Sequence, residues 1–393
     1  MPEAVNPPAG SRAGGNLACT SEQPVNDFAI LLSMAVDNRR MKIFSARLFR
    51  FRYPGPGRFW PGGRRRARRC WLLAVAFGVA VLAAPPVQAG ALPDIVSAPK
   101  AINLGSTSFY DGFGRTEEGW TWLQYGRLEN LTRITDAQGN TSPLFQGTAI
   151  DVFVAQTQIA YASPWHPFGG DGTGVSALLP VADFHAGFAE DSPVKLRSNG
   201  LDIGDLNFGP FYQSKHFQHG GRPVFAWRFQ FSVVAPTGGF NTRRNINQGA
   251  GFWAVNPYVA FTWVPIRRVE FSGRINYQYN LPTSRIANPP PVPGLIYRSG
   301  QAGQMIFGNF AASYKMLPNA ELGVNGYALS QLSANRTNGI PVPKSRETEI
   351  SVGPGARFVF NASNTLNVNL YLPVMSRNAT SGTQLNAQFV HRF

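Results

Sequence analysis

The chain closes with Thr383-Gln-Leu-Asn-Ala-Gln-Phe-Val-His-Arg-Phe393, and this stretch decides the fold. One face carries Leu385, Ala387, Phe389 and His391, and the other carries Gln384, Asn386, Gln388 and Val390. A period of two residues is the pattern of a β-strand with one apolar and one polar face. We therefore expect the chain to end in a strand whose two faces meet different surroundings.

The composition favours strands and turns over long charged helices. Only 15% of the 393 residues are charged, against about 25% in a typical globular protein, while 41 are Gly and 29 are Phe. Residues 1–89 hold 13 of the 36 Lys and Arg and 4 of the 21 Asp and Glu, so the remainder has a net charge of only +6. With no zinc-finger or helix-turn-helix spacing present, we expect no nucleic-acid partner.

The N-terminal part of the sequence has the pattern of an export signal. Basic residues at 64–69 precede the uncharged run Cys70–Ala84, which at about 15 residues is too short to span a bilayer as a helix. Val87-Gln-Ala89 then provides a small-x-small cleavage site, so cleavage is expected between Ala89 and Gly90. We assign residues 41–89 to a signal peptide for the general secretory route and residues 1–40 to a non-native or disordered extension.

Both cysteines belong to this leader. Cys19 and Cys70 would be lost with it, and a mature chain without cysteine can cross an oxidising periplasm without mispairing. The cysteine distribution therefore agrees with export.

From residue 119 onward, apolar and polar residues alternate in twelve segments that Gly-, Pro- and Asn-rich breaks separate. The predicted strands are 119–133, 142–161, 175–188, 202–213, 225–233, 252–264, 268–279, 303–314, 321–331, 347–360, 366–372 and 383–393. Such lengths suit tilted transmembrane strands, and a sheet in hydrocarbon must close because every backbone group there needs a partner. We predict an all-β, antiparallel transmembrane β-barrel of about twelve strands at 119–393, preceded by a surface segment at 90–118.

The seventh segment gives the clearest alternation. Its outward face is predicted to carry Val269, Phe271, Gly273, Ile275, Tyr277 and Tyr279, and its opposite face only polar or charged residues. Aromatic residues suit lipid and its interface. In the tenth segment, Pro354 removes a ladder donor and predicts a local break.

Connection lengths predict the orientation of the barrel. If Phe393 is periplasmic, the turns at that end should be short, and 265–267, 317–320 and 361–364 are short. The alternate connections at 236–251, 281–299 and 333–346 are long, as outer loops are. The connections at 162–174 and 214–223 are longer than this rule predicts.

The final strand resembles the C-terminal strand of bacterial outer-membrane β-barrel proteins, whose last Phe and alternate apolar positions are read by the assembly machinery. Phe389, His391 and Phe393 carry this resemblance, with His391 standing where the signature usually has Tyr or a hydrophobic residue. The resemblance implies an outer-membrane location, with membrane lipid and the barrel assembly machinery as partners.

A second resemblance is to the family of meta-pathway phenol-degradation proteins, a group of predicted outer-membrane proteins. The motifs that carry it are Gly204-Asp205-Leu206, Gly209-Pro210, Pro236-Thr237-Gly238, Asn256-Pro257, Tyr297-Arg-Ser-Gly300, Gly326-Tyr327 and Gly353-Pro354. It implies a porin-like barrel linked to aromatic catabolism that takes up small hydrophobic or aromatic compounds.

The polar strand faces supply the candidate lumen residues. They are Arg228, Gln230, Arg268, Glu270, Arg274, Asn276, Gln278, Glu349, Arg357, Asn367 and Asn369. Inward placement is expected because an Arg or Lys facing lipid at mid-depth costs about 2–4 kcal/mol. These groups could form a constriction that binds solute, or opposed charges could pair and fill a narrow lumen.

The sequence offers little support for catalysis or metal binding. His216-Phe-Gln-His219, with His166 and His185 upstream, lacks the helical HExxH spacing, and its two His would point to opposite faces of a strand. No Gly-x-Ser-x-Gly motif is present. We therefore expect no metal, no cofactor and no enzymatic activity.

Three functional hypotheses remain open. The first is a passive channel for small hydrophobic or aromatic compounds, with a site built from lumen polar groups and aromatic-rich outer loops such as Phe240–Trp253 and Pro282–Tyr297. The second is a structural or adhesive barrel with a plugged lumen. The third is an outer-membrane lipid hydrolase.

Overall fold

The alternating segments form strands in the computed structural model, which describes residues 92–97, 99 and 103–393. The extension predicted at 1–40, the signal peptide at 41–89 and the cleavage site between Ala89 and Gly90 lie outside the described residues. So do both cysteines.

Twelve long strands make up one antiparallel sheet. They are β1 (Gly119–Ile134), β2 (Ala149–Ala162), β3 (Gly172–Gly187), β4 (Leu206–Gln213), β5 (Arg222–Ala235), β6 (Ala254–Ile266), β7 (Val269–Asn280), β8 (Met305–Leu317), β9 (Ala320–Gln331), β10 (Thr348–Val359), β11 (Asn364–Arg377) and β12 (Thr380–Arg392). Each strand pairs with its neighbour in the chain, and β1 pairs with β12 through Thr121 opposite Arg392 and Leu128 opposite Leu385. The sheet is therefore a closed twelve-stranded barrel, as predicted.

The described residues form five short strands in addition to these twelve. Gly200–Ile203 pairs with β3 and Phe217–His219 pairs with β5. Gly300–Gln301, Arg336–Thr337 and Ile340–Pro341 form a small separate sheet among the loops. Within residues 92–97, 99 and 103–393, no helix is long and apolar enough to cross a bilayer.

The predicted strand positions agree with the observed ones, with two informative differences. β2 begins at Ala149 because residues 142–148 form turns. The predicted fourth strand is divided, because Gly204 and Asp205 separate Gly200–Ile203 from β4. The expected break at Pro354 is present, since the ladder from β10 to β11 passes from Val352 to Gly355 without pairing the residues between.

The two faces of the sheet differ as the alternation predicts. On β7, Glu270, Asn276 and Gln278 are each only 1% exposed, whereas Phe271 is 40% and Ile275 57% exposed. Large apolar residues on the other strands also face outward, among them Phe229, Phe231, Val259, Phe310, Leu322 and Leu385. An apolar outer face around a polar lumen is the arrangement of a membrane-spanning barrel.

The two ends of the barrel carry connections of different length. The end at which β12 finishes, here called the C-terminal end, has turns at 163–171, 214–221, 267–268, 318–319 and 360–363. The opposite loop end carries 135–148, 188–205, 236–253, 281–304, 332–347 and the tight turn 378–379. The predicted contrast therefore holds in most of the barrel, with 163–171 and 214–221 as the two longer turns already visible in the sequence.

The segment before β1 is not a surface segment throughout. Thr107 is 1%, Ser108 3% and Phe109 3% exposed, and these residues lie inside the barrel. The prediction that 90–118 lies on the surface is wrong for this part. Small and hydroxyl side chains satisfy inward-facing amides, so a sequence without apolar periodicity is buried in a polar lumen.

Candidate functional site

Residues 103–118, here called the lumenal strap, run along the inside of the barrel. Near the loop end, the Gly105 carbonyl accepts hydrogen bonds from the Tyr371 hydroxyl at 2.9 Å and the Asn386 amide at 2.6 Å. The Gly105 N–H donates to Asn309 Oδ1 at 2.8 Å. The Asn369 amide donates to the Ser108 hydroxyl at 3.0 Å. Side chains from three different strands therefore hold this half of the strap.

The other half of the strap is held by charged and amide groups. Asp111 accepts two hydrogen bonds from Arg274, from Nε and Nη2, each at 2.7 Å. The Tyr110 N–H donates to Glu270 at 3.0 Å, and the Gly112 N–H donates to Thr262 at 2.9 Å. A bidentate Arg–carboxylate pair is among the strongest polar contacts that a protein makes. The Asp111–Arg274 pair is thus the main polar anchor of the strap.

The strap follows the wall so closely that it needs glycine. A Cβ on Gly112 would lie 2.3 Å from the Thr262 backbone nitrogen, and Gly105 has a φ of +75°. No L-residue with a side chain fits the first position, and few adopt the second. The glycines at 105 and 112 were the sequence signal that could have revealed this close approach.

Residues 92–97 contact the loop end of the barrel. The Asn335 amide donates to Asp94 Oδ2 at 2.6 Å, and the Thr337 hydroxyl donates to the Pro93 carbonyl at 2.8 Å. The strap meets the C-terminal end at its other extremity, where Arg115 donates to the terminal oxygen of Phe393 at 2.6 Å. The segment before β1 therefore contacts both ends of the barrel.

A cavity of about 290 Å³, here called the loop-end cavity, lies between the strap and the loop end. Its lining is largely aliphatic and aromatic: Leu104, Leu131, Ile134, Phe145, Ile150, Val152, Val154, Phe184, Leu196, Ile246 and Leu329. Ile150, Val152 and Phe184 belong to one buried apolar cluster on the inward faces of β2 and β3. This patch lies towards the loop end of the barrel, in a lumen whose other buried inward side chains are mostly polar.

The polar side of the loop-end cavity is acidic. Glu129, Glu347 and Glu349 line it, with Arg127 as the accompanying cation. Arg127 lies 3.3 Å from Glu129. The cavity therefore combines an apolar wall with an excess of carboxylates.

A clasp of motif residues holds one loop over this cavity. Asp205 accepts hydrogen bonds from the N–H groups of Gly238 at 2.9 Å and Ala250 at 2.7 Å, while the Leu206 N–H donates to the Thr237 hydroxyl at 3.0 Å. Burial raises the pKa of the Asp205 carboxyl above its usual range. The clasp fixes the loop 236–253.

That loop carries Ile246 into the wall of the cavity, flanked by Asn245 and Asn247. The Asn245 and Ile246 N–H groups both donate to the Arg197 carbonyl, at 2.9 and 3.1 Å. The second aromatic-rich loop, Pro282–Tyr297, contributes no residue to the described lining of this cavity.

A smaller cavity of about 100 Å³, here called the central chamber, lies between the strap and the barrel wall. Five arginines line it: Arg115, Arg228, Arg274, Arg357 and Arg392. Three guanidinium groups lie over aromatic rings, Arg228 at 3.7 Å from the centre of Phe211, Arg274 at 4.2 Å from Tyr258 and Arg357 at 4.2 Å from Tyr110. The chamber is therefore cationic and aromatic.

The C-terminal end opens in a larger basic mouth of about 940 Å³. Its cationic residues are Arg115, Arg222, Arg267, Lys315, Arg357 and Arg392, with Glu117 as the acidic side chain of its described lining. His216 reaches the strap there, 2.9 Å from the Gly114 carbonyl. Burial lowers the pKa of His216, which favours the neutral imidazole.

The structure places the predicted lumen residues on the inside, with one exception. Gln230, Glu270, Arg274, Asn276, Gln278, Asn367 and Asn369 are buried in the lumen. Arg228 and Arg357 line the central chamber, and Glu349 lines the loop-end cavity. Whether these groups bind a solute stays a prediction.

Arg268 is the exception, and its predicted lumen position is wrong. It belongs to the turn between β6 and β7, is exposed, and donates to the hydroxyl of Tyr314 at 3.3 Å. Tyr314 itself is 43% exposed on the outer face. The alternation of β7 extends to Arg268 in the sequence. Arg268 lies outside the paired ladder, however, so the pleat of the strand does not direct its side chain into the lumen.

Sequence reasoning missed the partners that complete the site. Asp111 and Tyr110 come from the strap, while Arg127, Tyr258 and Arg392 come from the wall. The wall residues follow the inward alternation of their strands, so the same pattern would have found them. The strap residues carry no such period.

The C-terminal residues lie at the seam of the barrel. Phe389 packs edge-on against Trp122 of β1, with ring centres 5.9 Å apart. His391 Nδ1 lies 2.7 Å from Asn364 Oδ1, and Phe393 is 70% exposed. In the described part of the chain, no three His, Cys, Asp or Glu side chains are grouped so as to hold a metal ion.

Solved structures resemble this barrel at low sequence identity. The COG4313 outer membrane channel from Pseudomonas putida F1 is 13% identical, with a TM-score of 0.60 over 72% of this chain and 98% of that chain. The translocator domain of the autotransporter NalP from Neisseria meningitidis is 11% identical, with a TM-score of 0.39 over 72% of this chain and 90% of that one. The first likeness supports the fold. No curated protein matches the sequence.

A family model described as "Putative MetA-pathway of phenol degradation" matches residues 132–389. The match extends from β1 to β12 and includes the clasp motifs, most of the wall of the loop-end cavity and most of the arginines of the central chamber. Since it covers well over half of the sequence, this chain belongs to the MetA-pathway phenol-degradation family.

Proposed function

We propose that this protein is an outer-membrane channel through which small aromatic or other hydrophobic compounds enter the cell. One observation carries the proposal: the polar lumen contains an apolar cavity of about 290 Å³ next to the outer loops. Burying apolar surface stabilises a complex by about 25 cal/mol per Å². A compound of the size of phenol can bury its apolar surface in that cavity. A purely polar lumen provides no such stabilisation.

The surroundings of the site support this direction of transport. The long loops, and with them the cavity, lie at the end opposite Phe393, which places them outside the cell if the C-terminus is periplasmic. The family description refers to phenol degradation, and the Pseudomonas putida protein of the same fold is described as an outer membrane channel. The proposal includes no catalytic step.

Passage through the lumen requires the strap to move. Its hydrogen bonds to Asn309, Thr262 and Gln213 come from several sides of the barrel wall. We propose that the strap closes the channel at rest. A solute passes when the half of the strap that lies beyond the loop-end cavity shifts.

A second candidate function follows from the same strap. Because buried hydrogen bonds and the Asp111–Arg274 pair fix it in the lumen, the barrel could be a permanently closed structural or adhesive element. Permeability separates the two functions, since a closed element transports nothing under any condition.

Export and assembly form a further part of the proposal. The leader at 41–89 directs the chain to the general secretory route with cleavage between Ala89 and Gly90, and Phe389, His391 and Phe393 present the last strand to the barrel assembly machinery. The exposure of Phe393 at the barrel end supports its recognition. Deleting Phe393 should reduce the folded protein in outer-membrane fractions several-fold.

The direct experiment is phenol uptake into liposomes that contain the folded mature protein. Folding is checked by the shift in gel migration on heating. We expect saturable uptake that Phe184→Ala slows, because Phe184 lines the cavity, while Phe153→Ala serves as the control because Phe153 faces outward on β2 at 45% exposure. Uptake no faster than in empty liposomes would reject the channel.

A further inference from the structure

The central chamber holds more positive charge than its own acids neutralise. Of its five arginines, Arg274 is paired with Asp111 at 2.7 Å, and Arg357 with Glu321 at 3.3 Å. Arg115 donates to the terminal oxygen of Phe393 at 2.6 Å. Arg228 and Arg392 have no carboxylate within 4.0 Å among the described residues.

Within the described part of the chain, the side chains of these two arginines donate hydrogen bonds to neutral groups only. Arg228 Nη2 donates to Gln230 at 3.1 Å, and its buried Nε has no acceptor within the described residues. Arg392 Nη2 lies 3.4 Å from the Phe113 carbonyl, a long hydrogen bond. Both side chains are half-buried, and a charge partly withdrawn from water with no anion nearby has a desolvation that nothing compensates.

The two arginines approach neighbouring residues of the strap. Arg228 Nη1 would lie 3.4 Å from a Cβ on Gly114, and Arg392 lies against Phe113. The rings of Phe113, Phe211 and Tyr258 line the same chamber. Two guanidinium forks thus share one small cavity with aromatic surfaces.

We propose that the central chamber is a binding site for a small aromatic carboxylate. Arg228 and Arg392 pair with the carboxylate group, and the ring lies among Phe113, Phe211 and Tyr258. Guanidinium groups match the two oxygens of a carboxylate, and their contacts are charge-assisted. The proposal rests on the channel function, because it names a class of solute for a second binding site in the same lumen.

Two features favour this ligand over simpler ones. A neutral phenol leaves the excess charge of Arg228 and Arg392 without a counterion. Inorganic phosphate supplies charge but makes no contact with the aromatic walls of a chamber of about 100 Å³. A ligand with both a flat ring and a carboxylate satisfies both parts of the lining.

The test is calorimetric titration of the full mature protein, folded in detergent, with benzoate, phenol and inorganic phosphate. We expect one benzoate per chain, bound at least tenfold more tightly than phosphate. Arg228→Gln should weaken benzoate binding about tenfold or more while changing phenol binding by less than about twofold. Arg228→Lys should fall between, because it keeps the charge but loses the fork.

Two further variants make the titration specific. Arg243→Gln removes the same charge from an exposed position in the loop 236–253 and should leave benzoate binding unchanged. Arg392→Gln repeats the test on the second arginine if Arg228→Gln does not fold. Heat-modifiable gel migration verifies each barrel.

The outcomes separate this inference from the channel function. Arg228-dependent benzoate binding without phenol uptake into liposomes would uphold the site and reject the channel. Phenol uptake without benzoate binding, or benzoate binding unaffected by Arg228→Gln and Arg392→Gln, would overturn the carboxylate site. Equal affinity for phosphate and benzoate would reduce the chamber to a general anion site and overturn the role of the aromatic walls.

Discussion

The loop-end cavity and the central chamber occupy one lumen but have opposite chemistry. The first has an apolar wall from β2 and β3 and three carboxylates against one arginine. The second has five arginines against the strap carboxylate Asp111. A solute entering from the loop end therefore meets an apolar surface first and positive charge second.

The difference arises from which residues fill the inward positions of different strands. β2 places Ile150, Val152 and Val154 inward, whereas β5, β7 and β12 place Arg228, Arg274 and Arg392 there. The strap then divides the lumen and keeps the two environments apart. A barrel lumen is therefore specified strand by strand, and one inserted segment turns it into separate sites.

Removing the strap should have the largest effect, because it would merge the two sites. A variant lacking residues 92–114 should form an open pore whose conductance in planar bilayers exceeds that of the intact protein by about a hundredfold. The lumen side chains that bonded the strap would be solvated by water, so the barrel should still fold. Replacement of the segment by a Gly-Ser linker of equal length is the control. Unchanged conductance of the deletion would show that the strap does not close the lumen.

Weakening the main anchor should give a smaller opening of the same kind. Asp111→Asn removes the charge that compensates the buried Arg274, which costs about 1–3 kcal/mol of strap docking. The open fraction, measured as single-channel open probability, should rise about tenfold. Asp136→Asn, at a partly exposed position of the loop 135–148 that does not line the central chamber, is the matched control. An unaltered open probability would assign the docking of the strap to its backbone contacts.

Substitution in the apolar wall should separate the two sites by ligand. Phe184→Ala removes a ring from the loop-end cavity and should weaken phenol binding about fivefold to tenfold, leaving benzoate binding in the central chamber within about twofold. Calorimetry with both ligands measures this directly. Parallel losses for phenol and benzoate would mean that the two cavities act as one site.

Raising the ionic strength should distinguish the two cavities by a smaller difference in ligand affinity. Charges are screened over about 10 Å at 0.1 M and about 3 Å at 1 M ionic strength. Benzoate affinity should therefore fall about threefold between these concentrations, while phenol affinity should hold steady or rise slightly. A loss of phenol affinity matching that of benzoate would contradict the assignment of the ligands to different cavities.

Arg268→Gln should have the smallest effect. Arg268 is exposed in the β6–β7 turn and bonds to Tyr314 outside the lumen. Phenol uptake, benzoate affinity and open probability should all stay within about twofold of the unmodified protein. A substantial change in any of these three quantities would mean that Arg268 contributes to the channel.

The barrel was predictable because its physical constraint repeats in every strand. Each residue of β7 from Val269 to Asn280 faces either lipid or the lumen. Apolar and polar residues therefore alternate in the sequence with a period of two. Pro354 and the long outer loops could be interpreted on the same basis. Arg268 does not follow this rule, because the two-residue period does not indicate where the pairing of a strand stops.

The candidate site was only partly predictable. Inward residues such as Arg228, Arg274 and Glu349 follow from alternation, but their grouping around two cavities depends on which strands become neighbours across the lumen. The motif residues Asp205 and Gly238 were recognised by family resemblance. Their contact, which fixes Ile246 over the loop-end cavity, appears only in three dimensions.

The sequence by itself determined a twelve-stranded cylinder with an apolar outside and a polar inside. The reason is that the apolar and polar residues of each strand alternate to match the lipid on one face and the lumen on the other. Tertiary structure alone decided that residues 103–118 enter the lumen and divide it. No local period encodes that placement, since the contacts of Gly105, Asp111 and Gly112 join residues more than one hundred positions apart, and their free energy exists only once the barrel has closed around them.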